Sequence, residues 1–344
     1  MIGIGIVGLP NVGKSTLFNA ITKAGAAEAA NYPFCTIEPN VGMVTVPDER
    51  LEKLAEIINP QRILNATVEF VDIAGLVAGA SKGEGLGNKF LSNIRGTAAI
   101  CQVVRCFDDE NVVHVNGKVD PIKDINVING ELILADMETV EKALEKNKKL
   151  IVNKNKEAMK LVPVLEKCYA HLSEEKLLKT LDLTDDEKDL LKVYQFLTIK
   201  PMIFVTNVSE DDIATGNQYV DQVKEYAESL GSEVVIVSAK VEEELQEMEE
   251  ADKKEFLESL GVEEAGLNRL IKAGFKLLGL QTYFTAGVIH TDFERGFIRA
   301  KVCSYEDFVR LGGWKGAQEA GVMRLEGKDY VVQDGDLMEF LFNV

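Results

Sequence analysis

The run Gly8-Leu9-Pro10-Asn11-Val12-Gly13-Lys14-Ser15 constrains the fold of this chain more than any other feature. It fits GxxxxGK[ST] and stands between an apolar stretch, Ile2 to Val7, and a helix-forming stretch, Thr16 to Thr22. Strand, glycine-rich loop and helix in that order build a phosphate cradle. The glycines let successive backbone N–H groups turn inward, and the helix N-terminus adds its positive end. Lys14 then offers a point charge to the β- and γ-phosphates of a nucleoside triphosphate, and the Ser15 hydroxyl suits Mg²⁺. Gly8, Asn11, Val12, Gly13, Lys14, Ser15 and Thr16 are therefore the candidate phosphate-binding residues. A glycine-rich turn with a chance lysine is the competing reading, and eight matching positions in the required context argue against it.

A phosphate loop alone does not separate kinases, motors and switches, so the downstream strands decide. Val68 to Val71 ends in Asp72-Ile73-Ala74-Gly75, a DxxG element, in which the Asp holds Mg²⁺ through water and the Gly N–H senses the γ-phosphate. Between the two motifs, the loop Asn31 to Pro39 carries Thr36, which would complete the metal shell. Farther on, Pro201 to Val205 leads into Thr206-Asn207-Val208-Ser209-Glu210, and Val234 to Val237 into Ser238-Ala239-Lys240. In a doubly wound sheet both would sit at strand C-termini, where ligands gather. Four motifs in this order predict an α/β G-domain with a mixed, mostly parallel sheet. Asn207, Val208, Glu210, Ser238 and Ala239 are expected at the base.

Two departures bear on the chemistry. A guanine-specific site carries NKxD, whose Asp accepts from guanine N1–H and the 2-amino group; here the positions read Asn207-Val208-Ser209-Glu210. Glu210 is one methylene longer, and Val208 would leave an apolar wall in place of the lysine. Adenine, which lacks the 2-amino group, suits such a site better, so ATP is expected over GTP. A degenerate pocket without preference is the alternative. In addition, the Gln that orients water after DxxG is replaced by Leu76, which neither donates nor accepts. Hydrolysis is then slow, or another group places the water. His114, in the loop after the strand Ala99 to Arg105, is the catalytic candidate, although a lone loop histidine is more often merely solvated.

The remaining length calls for more than one domain: 344 residues, 46% hydrophobic and 27% charged. No run of eighteen apolar residues appears, and Met1 passes straight into a strand, so a cytoplasmic protein without a membrane partner is expected. The five cysteines are scattered and lack CxxC spacing, which suggests neither a disulfide framework nor a zinc site. A net charge of −18 repels nucleic acid over most of the surface; DNA is not expected, and any RNA must meet a local basic patch. From 130 to 197 the pattern turns helical. Ile133, Met137, Val140, Leu144 and Ile151 keep an apolar seam, and Leu161, Leu165, Cys168 and Leu172 resume it. Two antiparallel helices, a coiled coil inserted into a G-domain of 1–129 and 198–280, would fit. Lys142, Lys146, Lys148, Lys149, Lys154, Lys156 and Lys160 lie between the seams. They read as a solvated face or, given the acidity of the rest, as an RNA contact. Nothing signals an oligomer, so monomer is the default.

Together these residues resemble the YchF, or Obg-like, ATPases of the translation-factor GTPase class. The carriers are Gly8 to Ala20, Asn31 to Asn40, Asp72 to Leu91, Asn207 to Glu210, and two segments near the end, Gln281 to Val288 and Ile289 to Ala300. The resemblance runs essentially end to end. It implies a slow ATPase with a hydrophobic residue in place of the catalytic Gln, associated with the ribosome and its subunits, the large one included. It also implies nucleotide binding by Asn11 to Thr16, metal ligation by Ser15 and Thr36, and a catalytic role for His114. Asn11 matches the asparagine that helps hold K⁺ beside the phosphates in relatives of this class. From 281 to 344 the chain resembles a TGS domain, a β-grasp module of proteins that touch RNA. Phe297, Ile298, Val302 and Tyr330 to Val332 suggest strands there, and Asp334-Gly335-Asp336 a turn. One departure stands out: the family has a further strand and loop where Val288 here runs directly into Ile289. That stretch is either deleted or absent from the sequence as given. The second is the expectation, since losing a strand damages a small sheet.

Overall fold

The computed structural model describes residues 3–29, 40–73, 86–109, 118–285 and 296–342. The chain folds into two compact units, Met1–Val44 with Val68–Leu278, and Thr45–Thr67 with Gly279–Val344.

The first unit is built on a six-stranded sheet. Its strands are β1 (Gly3–Val7), β2 (Val41–Thr45), β3 (Thr67–Asp72), β4 (Ala99–Arg105), β5 (Met202–Asn207) and β6 (Glu233–Val237), in the order β2-β3-β1-β4-β5-β6. The pairs β1–β3, β1–β4, β4–β5 and β5–β6 are parallel. β1, β4 and β5 are buried along their whole length, as parallel strands covered on both faces must be, which is why they read as unbroken apolar runs. The helices of this unit are α1 (Lys14–Ala29), α3 (Leu86–Arg95), α4 (Pro121–Val152), α5 (Lys156–Ser173), α6 (Asp185–Leu191), α7 (Gln218–Ser229), α8 (Ala239–Leu245), α9 (Glu250–Ser259) and α10 (Gly266–Leu277).

α4 and α5 form the helical hairpin. α4 starts at Pro121, earlier than the apolar periodicity suggests, because Asp120 caps it by accepting from the Lys123 N–H and proline is tolerated in the first turn. The turn is Asn153-Lys154-Asn155; Lys154 takes φ 57°, and Asn155 caps α5 through the Ala158 N–H. Ile133, Val140, Leu165, Cys168 and Leu172 of the expected seams are buried. The hairpin's base is held by Asp136, 0% exposed, which accepts from the backbone N–H groups of Leu197 (2.9 Å) and Thr198 (2.8 Å) and from the Thr198 hydroxyl (2.7 Å). Burial pushes the Asp136 carboxyl pKa up, against these three donors.

The second unit carries a four-stranded sheet in the order β7-β10-β8-β9, from β7 (Phe284–Thr285), β8 (Phe297–Ser304), β9 (Arg324–Glu326) and β10 (Asp336–Phe342). β8 pairs antiparallel with β10 and β9, and β10 pairs parallel with β7. Its helices are α2 (Arg50–Ile58), α11 (Tyr305–Arg310) and α12 (Trp314–Glu319). Residues 45–67 belong here rather than with the G-domain stretch in which their place in sequence puts them. The reason is apolar: Leu54, with Leu51 and Ile57 beside it, joins Cys303, Phe308 and Leu337 in one core. Arg50 fastens the same segment. It pairs with Asp48 (2.7 Å) and Asp334 (2.8 Å), and its guanidinium lies 5.0 Å from the Phe284 ring centre.

Candidate nucleotide site

β1 delivers the chain into the phosphate loop, and α1 leaves it at Lys14, so the first N–H groups of α1 have no acceptor within the helix and face the loop's concavity. Asn11 and Gly13 take positive φ, 64° and 92°. At Gly13 the reason is also one of space: a Cβ there would fall 2.1 Å from Asn207 Nδ2. Gly8 and Val12 are buried, Thr16 is half-buried, and Asn11 and Ser15 are exposed.

Asn207, at the end of β5, ties the loop to the base motifs. Its Nδ2 donates to Val12 O (2.9 Å), and its Oδ1 accepts from the Ala239 N–H (2.9 Å). One amide thus fixes the phosphate loop against the Ser238-Ala239 turn, both of whose residues are buried. On the other side Lys14 Nζ donates to Asp72 Oδ1, which joins the expected phosphate cation to the expected metal carboxylate. The donor set fits a magnesium–phosphate group: backbone N–H groups and one lysine for the phosphates, one hydroxyl and one carboxylate for the cation.

The base positions differ from the expectation in one respect. Val208 is 3% exposed and packs in the core with Phe204, Ile213 and Val241 rather than presenting an open wall. Its backbone N–H bonds Val237 O at 2.9 Å, and that strand continuation turns the side chain inward. Glu210 opens a 3-10 turn, Glu210–Asp212, is half-buried, and has no partner for its carboxylate among the described residues. Thr36, Gly75 and His114, together with Leu76, lie outside the described residues.

Three groups went unread in the sequence. Asn217 caps α7 with its Oδ1, while its Nδ2 donates to Cys106 O (2.8 Å) and Asp212 Oδ2 (2.8 Å). Asp212 in turn accepts from Ser209 Oγ (2.9 Å), so the turn after Asn207 is pinned to the end of β4. Arg105, 2% exposed, donates to the carbonyls of Phe107 (3.1 Å) and Asp109 (3.3 Å) and braces the chain leaving β4. Glu242 of α8, 0% exposed, accepts from the Gly266 N–H at 2.8 Å and so links the Ser238-Ala239 turn to the start of α10. Its Oε2 is buried without a hydrogen-bond partner among the described residues, and burial pushes its pKa up to about 7. Only the Asp-Pro and Asn-rich turn chemistry hinted at the caps; nothing local marks a buried Glu.

Two sequence families match. One, described as a 50S ribosome-binding GTPase, covers residues 3–156, and the other, the YchF-GTPase C-terminal family, described as a protein of unknown function, covers 278–343. The chain is 56% identical over 360 aligned positions to the ribosome-binding ATPase YchF of Escherichia coli O157:H7, covering 99% of each. It is 55% identical over 362 positions to the protein of the same name in Bacillus subtilis strain 168, again covering 99% of each. The chain belongs to the YchF family. The Schizosaccharomyces pombe YchF GTPase structure superposes with a TM-score of 0.89 at 36% identity, covering 99% of this chain and 97% of that one. A GTP-binding protein from Pyrococcus horikoshii OT3, at 23% identity and TM-score 0.60, shares the fold. Since 360 aligned positions exceed the 344 residues here, the E. coli YchF has at least 16 positions without a counterpart in this chain. The departure noted at Val288 falls outside the described residues.

Proposed function

We propose that this YchF-family chain is a slow ATPase that works as a Mg²⁺-dependent switch and associates with the ribosome in the cytoplasm. The observation that carries the reading is the Val12–Asn207–Ala239 bridge, which holds the phosphate loop and the base turn as one unit. Lys14 would bind the β- and γ-phosphates, Ser15, Thr36 and Asp72 (through water) would hold the metal, and the Gly75 N–H would contact the γ-phosphate. Mg²⁺, when bound there, would supply positive charge to offset the negative charge of phosphoryl transfer. With Leu76 in the glutamine's place, His114 is the group that orients the attacking water. Asn11 is the candidate K⁺ ligand; its exposure and positive φ are compatible with that role, and equal hydrolysis in Na⁺ and K⁺ would count against it.

The adenine preference rests on Glu210, whose longer side chain fits guanine's N1–H and amino edge poorly. Equilibrium binding of Mg-ATP and Mg-GTP tests it. Glu210→Asp alone is the clean change, since Val208 is buried and a lysine there would strain the core. ATP should bind about tenfold tighter than GTP, and Glu210→Asp should narrow the gap. Tighter GTP binding by the native chain would overturn the preference and favour a GTPase, as the S. pombe YchF GTPase is named. Lys14→Ala should abolish binding of both.

Ribosome association draws on the hairpin and the TGS-like unit. Three of the seven lysines are paired, Lys142 with Glu138, Lys148 with Glu166 and Lys149 with Glu145. Lys146, Lys154, Lys156 and Lys160 have no carboxylate partner among the described residues and remain for RNA, with the large subunit as the partner. Pelleting with ribosomes at several nucleotide states decides between a switch and a plain binding module, since binding insensitive to ATP would favour the module.

A further inference from the structure

β6 closes one edge of the six-stranded sheet, and its outer side lies in a groove between α7 and α10. The ladder shows which backbone groups face out. Val237 O accepts from the Val208 N–H and Val235 O from the Thr206 hydroxyl (3.4 Å), so these two residues turn toward β5. In a parallel ladder alternate residues turn the other way, which points the N–H and C=O of Val234 and Ile236 out from the sheet. Arg269 Nη2 already occupies Ile236 O at 3.0 Å, and its Nε is buried without an acceptor among the described residues. The groove, about 360 Å³, has β6 and Ala273 as its floor and Lys224, Lys272 and Lys276 on its rim. Lys272 pairs with Glu264, and Lys276 with Glu233 at 3.7 Å; Lys224 has no carboxylate partner among the described residues. Arg269 lies near Glu242, and two of the three rim lysines are paired, so Lys224 leaves a single positive surplus at the groove in a chain of net charge −18.

We infer that this groove receives an extended acidic segment of a partner protein, which adds to β6 as a further strand. Its backbone pairs with Val234 and with the Ile236 N–H, and acidic side chains on alternate residues meet Lys224, Lys272 and Lys276. Donors and acceptors at strand spacing over an apolar floor match a polypeptide backbone, and the basic rim selects acidic side chains. A nucleic acid has no matching row of alternating amide groups. The competing role for rim lysines is to guard an open edge against any strand at all.

The probe is a labelled eight-residue peptide of alternating glutamate and valine, titrated into the full chain by fluorescence anisotropy. An alternating lysine–valine peptide and an oligouridine of equal length are the controls. The expected result is saturable binding of the acidic peptide alone, with Kd on the order of 10–100 μM. Binding should slow hydrogen exchange at the Val234 amide. Lys224→Glu with Lys276→Glu, both on exposed side chains, should weaken it about tenfold. N-methylating alternate residues of the peptide should also abolish binding, and this leaves the protein untouched. Absence of saturable binding would assign the lysines to edge protection and overturn the inference. Equal binding of the lysine–valine peptide, competition by oligouridine, or indifference to N-methylation would also overturn it.

Discussion

Glu242→Gln should abolish a pH dependence of stability that the native chain carries. Burial raises the Glu242 carboxyl from its ordinary 4.5 to about 7 in the fold. Between those values the folded chain holds a proton that the unfolded chain has released, so the group's contribution falls as pH rises. Below about pH 4.5 both states are protonated and nothing is lost; above about pH 7 the fold bears the whole cost of a buried anion. At about 1.36 kcal/mol per pH unit, that cost is about 3 kcal/mol. The N–H groups of Gly266 and Leu267, with Arg269 nearby, offset desolvation only in part. Glutamine keeps the acceptor for Gly266 and never ionises. Urea unfolding of both chains at pH 5 and pH 8 measures the difference. The variant should gain on the native chain by about 2.5 kcal/mol between pH 5 and pH 8, since part of the cost is already present at pH 5, whatever its stability there. Parallel pH profiles would refute the reasoning and mean that Oε2 finds a partner that keeps Glu242 charged.

Gly13→Ala would place a methyl group 2.1 Å from Asn207 Nδ2 at φ 92°, so the Val12–Asn207–Ala239 bridge should break. Mg-ATP affinity should fall at least about a hundredfold and the thermal midpoint should drop as the bridge's buried bonds are lost, as calorimetric titration and melting would show. Asp136→Ala leaves two buried backbone N–H groups and a hydroxyl without their acceptor and should cost about 3 kcal/mol, read as a drop in the urea midpoint. Arg50→Lys keeps the charge but loses the two-pronged bond to Asp48 and the stacking on Phe284. A loss of about 1 kcal/mol, confined in hydrogen exchange to 45–67 and the C-terminal sheet, is the expected outcome.

The parallel sheet and the order of its motifs were legible in the amino-acid sequence alone. Buried parallel strands must be apolar throughout, and a phosphate loop must join a strand to a helix, so both constraints are local and appear as runs and spacings. The helical hairpin was legible too, through a seam at three- and four-residue steps, though not its start, which a cap at Asp120 sets. The rest depends on long-range packing. Val208 follows Asn207 in a base motif, yet the fold turns it into the core. Residues 45–67 stand between two G-domain motifs, yet they pack with the C-terminal unit, because the apolar face of α2 finds its complement more than two hundred residues away. Asn217, Arg105 and Glu242 look like ordinary polar residues until their partners, Cys106 O, the carbonyls of Phe107 and Asp109, and the Gly266 N–H, are brought to them. A side chain's role in such sites depends on which backbone groups folding leaves unpaired around it, and chain order does not encode that proximity.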